Sequence, residues 1–218
     1  MTAAPLHYRN QRLMLDPSGA AFWPARRVLF VADLHLETSI MATRGTLEKL
    51  NRLIRLYRPA KLIVLGGCGA GRNGGERLSD AERARLTALS REAQFIWVNS
   101  TQAKPDALCE TLEEYRDGPF TFRHQASARL GPRDIEISGY FNPLASIDTK
   151  ARRISRPCFV TDSSRLILPA FGAPTGGIDV RDASIAKLFP LGLRVFLLGQ
   201  DQLFSFALGQ LGRMAEVA

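Results

Sequence analysis

Val28-Leu29-Phe30-Val31-Ala32-Asp33-Leu34-His35 is the stretch from which the fold is read. Five consecutive apolar residues leave no polar face, so the run reads as a strand covered on both sides, as in parallel sheets. It ends on Asp33. Downstream, Leu47, Leu50, Ile54 and Tyr57 recur at helical spacing, with Thr46 placed to cap the start and Pro59 to end the helix. Leu62–Leu65 reads as a second buried strand. Ser79 and Glu82 have capping-box spacing ahead of Leu86 and Leu89, and Phe95–Val98 reads as a third strand. Strand, helix, strand, helix, strand implies parallel strands joined by right-handed crossovers, with reactive groups gathered beyond their C-terminal ends. Asp33 and Asn99 stand there.

Beyond about residue 118 the chain changes character, into short apolar runs separated by turn residues: Phe120–Phe122, Ile135–Ile137, Cys158–Val160 and Leu166–Leu168. A short helix around Ala183–Leu188 and a final strand around Arg194–Leu198 are expected to close the domain. The fold class is therefore α/β with mixed sheets flanked by helices. One domain over residues 1–218 is expected, with a βαβαβ half at about 12–115 and a strand-rich half at about 116–205, because no Pro/Gly/Ser linker or repeat divides the chain. His7 falls in an N-terminal arm and is assigned no role.

Apolar residues make up 45% of the chain, enough for a sizeable core, yet no apolar run approaches the roughly 18 residues a membrane span needs. The start, Met1-Thr2-Ala3-Ala4-Pro5, lacks the charged and apolar regions of a signal peptide, so a cytoplasmic protein without membrane association is expected. Cys68, Cys109 and Cys158 are too few and too scattered for a disulfide framework or a zinc site and read as buried thiols. A net charge of +8 suits a polyanionic partner such as DNA, which basic residues bind by displacing counterions. The basic residues are spread out, however, as in Arg52, Arg55 and Arg58 or Arg152, Arg153 and Arg156, and an ordinary solvated surface accounts for them equally well.

Gly66-Gly-Cys-Gly-Ala-Gly-Arg-Asn-Gly-Gly75 invites a nucleotide-binding reading. Gly66 to Asn73 has P-loop spacing, but Arg72 stands where Lys must reach the phosphates and Asn73 where a hydroxyl must hold magnesium. The GxGxxG reading of Gly69–Gly74 fails because the following helix signal starts only at Ser79, too late to aim its N-terminus at a pyrophosphate. A loop without a nucleotide is the better reading.

Asp33-Leu34-His35 at a strand end is an Asp-x-His pair, a carboxylate and an imidazole within reach of one divalent ion. Around it stand Gly66-Gly67, Val98-Asn-Ser-Thr101, His124 in Phe122-Arg-His-Gln125, and Gly139-Tyr-Phe-Asn142. In that order these resemble the D-x-H, G-D, G-N-H-[DE], isolated H and G-H-x-H motifs of the calcineurin-like metallophosphoesterases. Leu15-Asp-Pro-Ser-Gly-Ala20, Phe22-Trp-Pro24, Arg156-Pro-Cys-Phe-Val160, Leu168-Pro-Ala-Phe-Gly172 and Thr175-Gly-Gly177 resemble segments of the branch of DNA-ligase-associated DNA-repair phosphoesterases. The resemblance spans roughly residues 12–200, with Glu37 to Thr46 shorter than usual. It implies a four-layer α/β/β/α sandwich, hydrolysis of phosphodiesters, and two divalent ions such as manganese. It places Asp33, His35 and the residue at 142 on the first ion, and Asn99, His124 and the residue at 140 on the second. Of those positions Asp33, His35, Asn99 and His124 keep a family residue. Gly67 replaces the bridging aspartate, Tyr140 and Asn142 replace two histidines, and Ser100 stands at the position of the histidine that assists the leaving group.

Two divalent ions about 3.5–4 Å apart need a bridging anion and several ligands each. Asp33 is the one carboxylate left, Asn142 offers a weak neutral oxygen, and Tyr140 a phenol whose ordinary pKa is about 10. A tight dinuclear centre is not expected, and with Ser100 for the acid/base imidazole a further factor of about 10²–10⁴ would be lost. Each remaining residue also has a structural reading: Asp33 as a polar strand end, His35 and His124 as histidines satisfied by backbone carbonyls, Asn99 as a loop amide. Three functions remain open. The chain is a degenerate enzyme serving DNA or a DNA-repair partner, a weak mononuclear phosphoesterase or nuclease, or a non-catalytic nucleic-acid-binding module.

Overall fold

Three neighbouring strands of one sheet follow the expected order. In a computed structural model describing residues 2–36, 39–67, 78–99, 111–148, 153–173 and 176–211, β4 (Val28–Ala32), β5 (Lys61–Leu65) and β6 (Gln94–Val98) are parallel neighbours. Ahead of β4 run β1 (Ala4–Tyr8), β2 (Gln11–Leu15) and β3 (Ala21–Trp23), each antiparallel to the next; β7 (Thr111–Leu112) follows β6 at the far edge. The arm that holds His7 is thus a hairpin strand, closed by a turn in which Arg9 is left-handed, with φ 51°. The crossovers are α1 (Ile40–Tyr57) and α2 (Asp80–Glu92). The Ser79–Glu82 capping box forms as read.

α1 begins six residues before the expected cap. Ser39 is its N-cap, its hydroxyl accepting from the Ala42 N–H, while Thr46 lies inside the helix and is 5% exposed. The cap, not the apolar period, sets this end. At the other end Arg58 turns left-handed, with φ 44°, ahead of Pro59.

A second sheet takes β8 (Tyr115–Asp117), β9 (Phe120–Arg123), β10 (Ile135–Ser138), β11 (Pro143–Asp148), β12 (Arg153–Thr161), β13 (Arg165–Ile167), β14 (Ile178–Asp179), β15 (Arg194–Leu198) and β16 (Leu203–Ala207). Within it β9, β10 and β13 are parallel to one another. The chain does not close on Arg194–Leu198: β16 turns back and pairs antiparallel with β15. The helix α3 is short, Ala183–Ala186.

Alternation along β4 shows why its run is continuously apolar. Val28, Phe30 and Ala32 enter one cluster with β9, β10, β12 and β13, between the sheets, whereas Leu29 and Val31 join Leu47, Leu50 and Ile54 under the helices. Edge-to-face aromatic pairs bind the sheets, with Phe30 and Phe122 at 5.5 Å between centroids and Trp23 and Phe120 at 4.8 Å. Each such fully buried ring contributes about 1.5–3 kcal/mol of transfer free energy. A third cluster, with Val160, Val195 and Leu197 against Ile185, Leu188 and Phe189, covers the outer face of the second sheet. The layers run α/β/β/α, the last helical layer being thin. Cys158 is buried beside the Pro143 carbonyl, and burial pushes its thiol pKa up. Cys68, Cys109 and most of the glycine-rich stretch lie outside the described residues.

Candidate functional site

Register brings the candidate residues together. Ala32 lies opposite Leu65 and Leu65 opposite Val98, so the residues after these strands, Asp33, Gly66 and Asn99, come level at one end of the first sheet. In the second sheet Arg123 lies opposite Ser138 and Ser138 opposite Ile167, so His124, Gly139 and Leu168 come level in the same way. The two parallel triplets end at the same place. Carbonyl ends of parallel strands, not any one loop, make the site.

Three side chains form a hydrogen-bonded chain across the two sheets. His124 Nε2 is 2.8 Å from Asp33 Oδ1, and its Nδ1 is 3.1 Å from Asn99 Oδ1. The other Asp33 oxygen, Oδ2, accepts the Tyr140 backbone N–H at 3.0 Å. Asp33 and Asn99 are 8% and 5% exposed, so these bonds form in a largely dehydrated setting and are worth more than surface contacts. Tyr140, by contrast, is 49% exposed, its ring edge-on to His124 at 5.5 Å.

The backbone around these groups is unusual. Of the seven non-glycine residues with left-handed φ among the described residues, four frame the site: Asp33 at 48°, His35 at 49°, Tyr140 at 72° and Asn142 at 44°. Such conformations cost about 1–3 kcal/mol each and persist where surrounding bonds impose them. Here the Asp33 N–H donates to Leu65 O, while the Asp33 carbonyl accepts from Gly172 and the Ala32 carbonyl from Phe171. Gly66, with φ 130°, is a further special position, since a Cβ there would sit 2.9 Å from Asp33 Oδ1.

Leu168–Gly172 leaves β13 and crosses to the first sheet. Ala170 bridges Ala32 in parallel, and Gly172 is required for space: a Cβ there would fall 2.0 Å from the Leu34 carbonyl oxygen. His35 meets this segment, its Cβ 3.1 Å from where that of a residue at 172 would be. Asp33, Asn99 and His124 are therefore brought together, with Tyr140 beside them. Asp33, His35 and His124 are not arranged as a three-ligand group, and among the described residues no three His, Cys, Asp or Glu side chains are so placed. Asn142 buries its Oδ1 without a hydrogen-bond partner. Ser100 lies outside the described residues.

The crystal structure of the nuclease MPE from Pseudomonas putida aligns with this architecture at a TM-score of 0.74, covering 94% of this chain and all of that one, at 25% identity. The chain has the calcineurin-like metallophosphoesterase fold. A structure of Vps29 from Entamoeba histolytica also aligns, at 16% identity over 83% of this chain and 97% of that one, with a TM-score of 0.36. No protein-family model and no curated protein matches the sequence.

On this metallophosphoesterase fold a two-ion centre does not fit the residues present. Both ring nitrogens of His124 are engaged within the protein, and position 67, where the resemblance puts the bridging carboxylate, has no side chain. The backbone at 67 nonetheless faces the site, since a Cβ would point at Asn99 Nδ2 from 3.3 Å. A carboxylate there would stand beside the hydrogen-bonded chain; glycine leaves that place without charge. The bonding partners of His124 are a carboxylate and an amide, not a hydroxyl or thiol that the imidazole would activate by taking its proton. What remains can hold a proton and tie two sheets together. Sequence reasoning missed the Tyr140 N–H, a donor that any residue but proline would supply at 140.

Proposed function

We propose that this chain is a metallophosphoesterase-fold protein related to DNA-repair nucleases, that its hydrolytic activity is lost or strongly impaired, and that it works by engaging nucleic acid or a repair partner. The observation that carries this reading is the Asp33–His124–Asn99 chain of hydrogen bonds beside a glycine at position 67. Side chains that would otherwise face two ions face one another. The relation to nucleases is supported by the alignment with the Pseudomonas putida nuclease across nearly the whole chain. The net charge of +8 supports a polyanionic partner.

The test is cleavage of single-stranded DNA and of a phosphodiester ester substrate with manganese, for the wild type and Asp33→Asn in parallel. The expected result is no manganese-dependent cleavage above the Asp33→Asn background, together with DNA binding that weakens steeply as salt rises. Manganese-dependent turnover abolished by Asp33→Asn refutes the reading.

One observation favours a second reading, a single weakly held ion. The buried, unpartnered Asn142 Oδ1 stands at the position the resemblance assigns to the first ion, with Asp33 and His35. An unsatisfied buried acceptor costs about 1–3 kcal/mol and a cation would relieve it. Under this reading manganese raises the melting temperature, and Asn142→Ala abolishes the rise. No rise with the wild type rejects it.

A further inference from the structure

We propose that the groove between α1 and the β12 and β15–β16 edge of the second sheet binds a phosphate group. The groove has a volume of about 310 Å³ and is lined by Lys49 and Arg52 of α1, Arg156 of β12, Ser18 of the β2–β3 turn, and Gly199 and Gln200 of the β15–β16 turn. It shares no lining residue with the Asp33–His124 site, and the inference holds whether or not that site hydrolyses anything.

Three stretches singled out in the sequence away from the metal motifs meet here. Leu15–Ala20 supplies Ser18, Arg156–Val160 supplies Arg156, and Leu168–Gly172 supplies the Phe171 carbonyl that orients Lys49. The Lys49 ammonium donates to that carbonyl at 2.9 Å and lies 4.0 Å above the Phe171 ring. An ammonium has three donors, so two remain for a ligand. The ring face and the carbonyl hold the head group in place, which lowers the entropy lost when an anion arrives.

Among the described residues none of Lys49, Arg52 and Arg156 has a carboxylate within ion-pair distance. Asp16, the carboxylate that acts on Lys49, is committed elsewhere, accepting from Tyr57 Oη at 2.6 Å and from the Ser18 N–H at 2.8 Å. Burial and the neighbouring Arg52 both disfavour the charged ammonium, and its pKa falls to about 8. An oxyanion between one ammonium and two guanidinium groups removes this repulsion and matches the fork geometry of arginine. A phosphate fits the volume with room for an attached sugar.

Two probes separate the sources of such a group: inorganic phosphate, and a fluorescent ten-nucleotide oligothymidylate. Phosphate at about 10 mM is expected to raise the melting temperature above that in chloride of equal ionic strength, because a ligand bound only by the native state stabilises it. Lys49→Met, Arg52→Ala and Arg156→Ala are each expected to weaken binding about tenfold at about 50 mM salt, and to lower the salt slope for the oligonucleotide by about one. Arg91→Ala, an exposed arginine on α2, controls for general charge and should stay within about twofold. Arg52 and Arg156 are exposed, so at least those two variants fold. If the oligonucleotide binds more tightly than phosphate and loses affinity in these variants, the ligand is a nucleic-acid backbone. If phosphate alone responds, the ligand is a small phosphorylated compound. Phosphate no better than chloride, or groove variants that behave like Arg91→Ala with both probes, overturns the proposal. None of these outcomes bears on the cleavage assay, so the two readings fail separately.

Discussion

Replacing His124 with alanine distinguishes two reasons for polar side chains to crowd at a strand end. Ligands gathered around an absent ion repel or leave one another unsatisfied, so truncating one leaves the metal-free protein as stable as before or more so. Side chains that satisfy one another do the opposite. Here the substitution removes a hydrogen bond to a carboxylate at 2.8 Å and one to an amide at 3.1 Å. The first type is worth about 1.5–3 kcal/mol and the second about 0.5–1.5 kcal/mol, and Asp33 keeps only the Tyr140 N–H against its buried charge. A loss of about 3 kcal/mol is therefore expected, or about 6–12 °C in melting temperature for a chain of this size. Urea unfolding and thermal melts in excess EDTA measure it. A His124→Ala protein as stable as the wild type, or more stable, refutes the account of the site as a self-satisfied hydrogen-bond chain.

Three further perturbations bear on the same framework. Gly172→Ala should destabilise by at least about 3 kcal/mol, because the new Cβ meets backbone at 2.0 Å, while Gly176→Ala, with open space around it, stays within about 0.5 kcal/mol; denaturant melts compare the pair. Glu136, 1% exposed, bonds to Arg123 at 2.9 Å and to the buried Arg165, so Glu136→Ala strands a buried guanidinium and should cost about 3–5 kcal/mol in the same assay. Burial holds the Lys49 pKa at about 8 against its ordinary 10.5, so between those values the unfolded chain binds the proton the folded chain has shed. Stability should rise with pH across that window in the wild type and not in Lys49→Met, so the difference between the two carries the rise.

The β4–α1–β5–α2–β6 unit was legible because each element declares itself locally: strands apolar on both faces, a capping box, a proline stop. The start of α1 was not, since Ile40 and Met41 are exposed and only Thr43 enters the interior before Thr46; the apolar period is silent where Ser39 decides. The β1–β2 hairpin was hidden because Pro5 and His7 alternate with partly buried positions at a sheet edge, a weaker pattern than a continuous run. β16 was missed for a similar reason, two of its five residues being exposed. At the site, the family resemblance pointed to Asp33, Asn99 and His124, and register explains their meeting. The bonds that His124 makes there follow from distances between two sheets, which no local pattern encodes.

The left-handed residues at 33, 35, 140 and 142 carry a consequence for the evolution and redesign of this chain. At Asp33 backbone of that shape is hard to acquire piecemeal, because it depends on Leu65, Gly172 and the crossing segment all being in position at once. Side chains are replaced one codon at a time. Asparagine, aspartate and histidine are also the non-glycine residues that tolerate such φ values best, so histidine at 140 and 142 would meet a mould already cut to receive it. The distance between this sequence and the ligand pattern that the resemblance implies is measured in point substitutions, not in rebuilt loops.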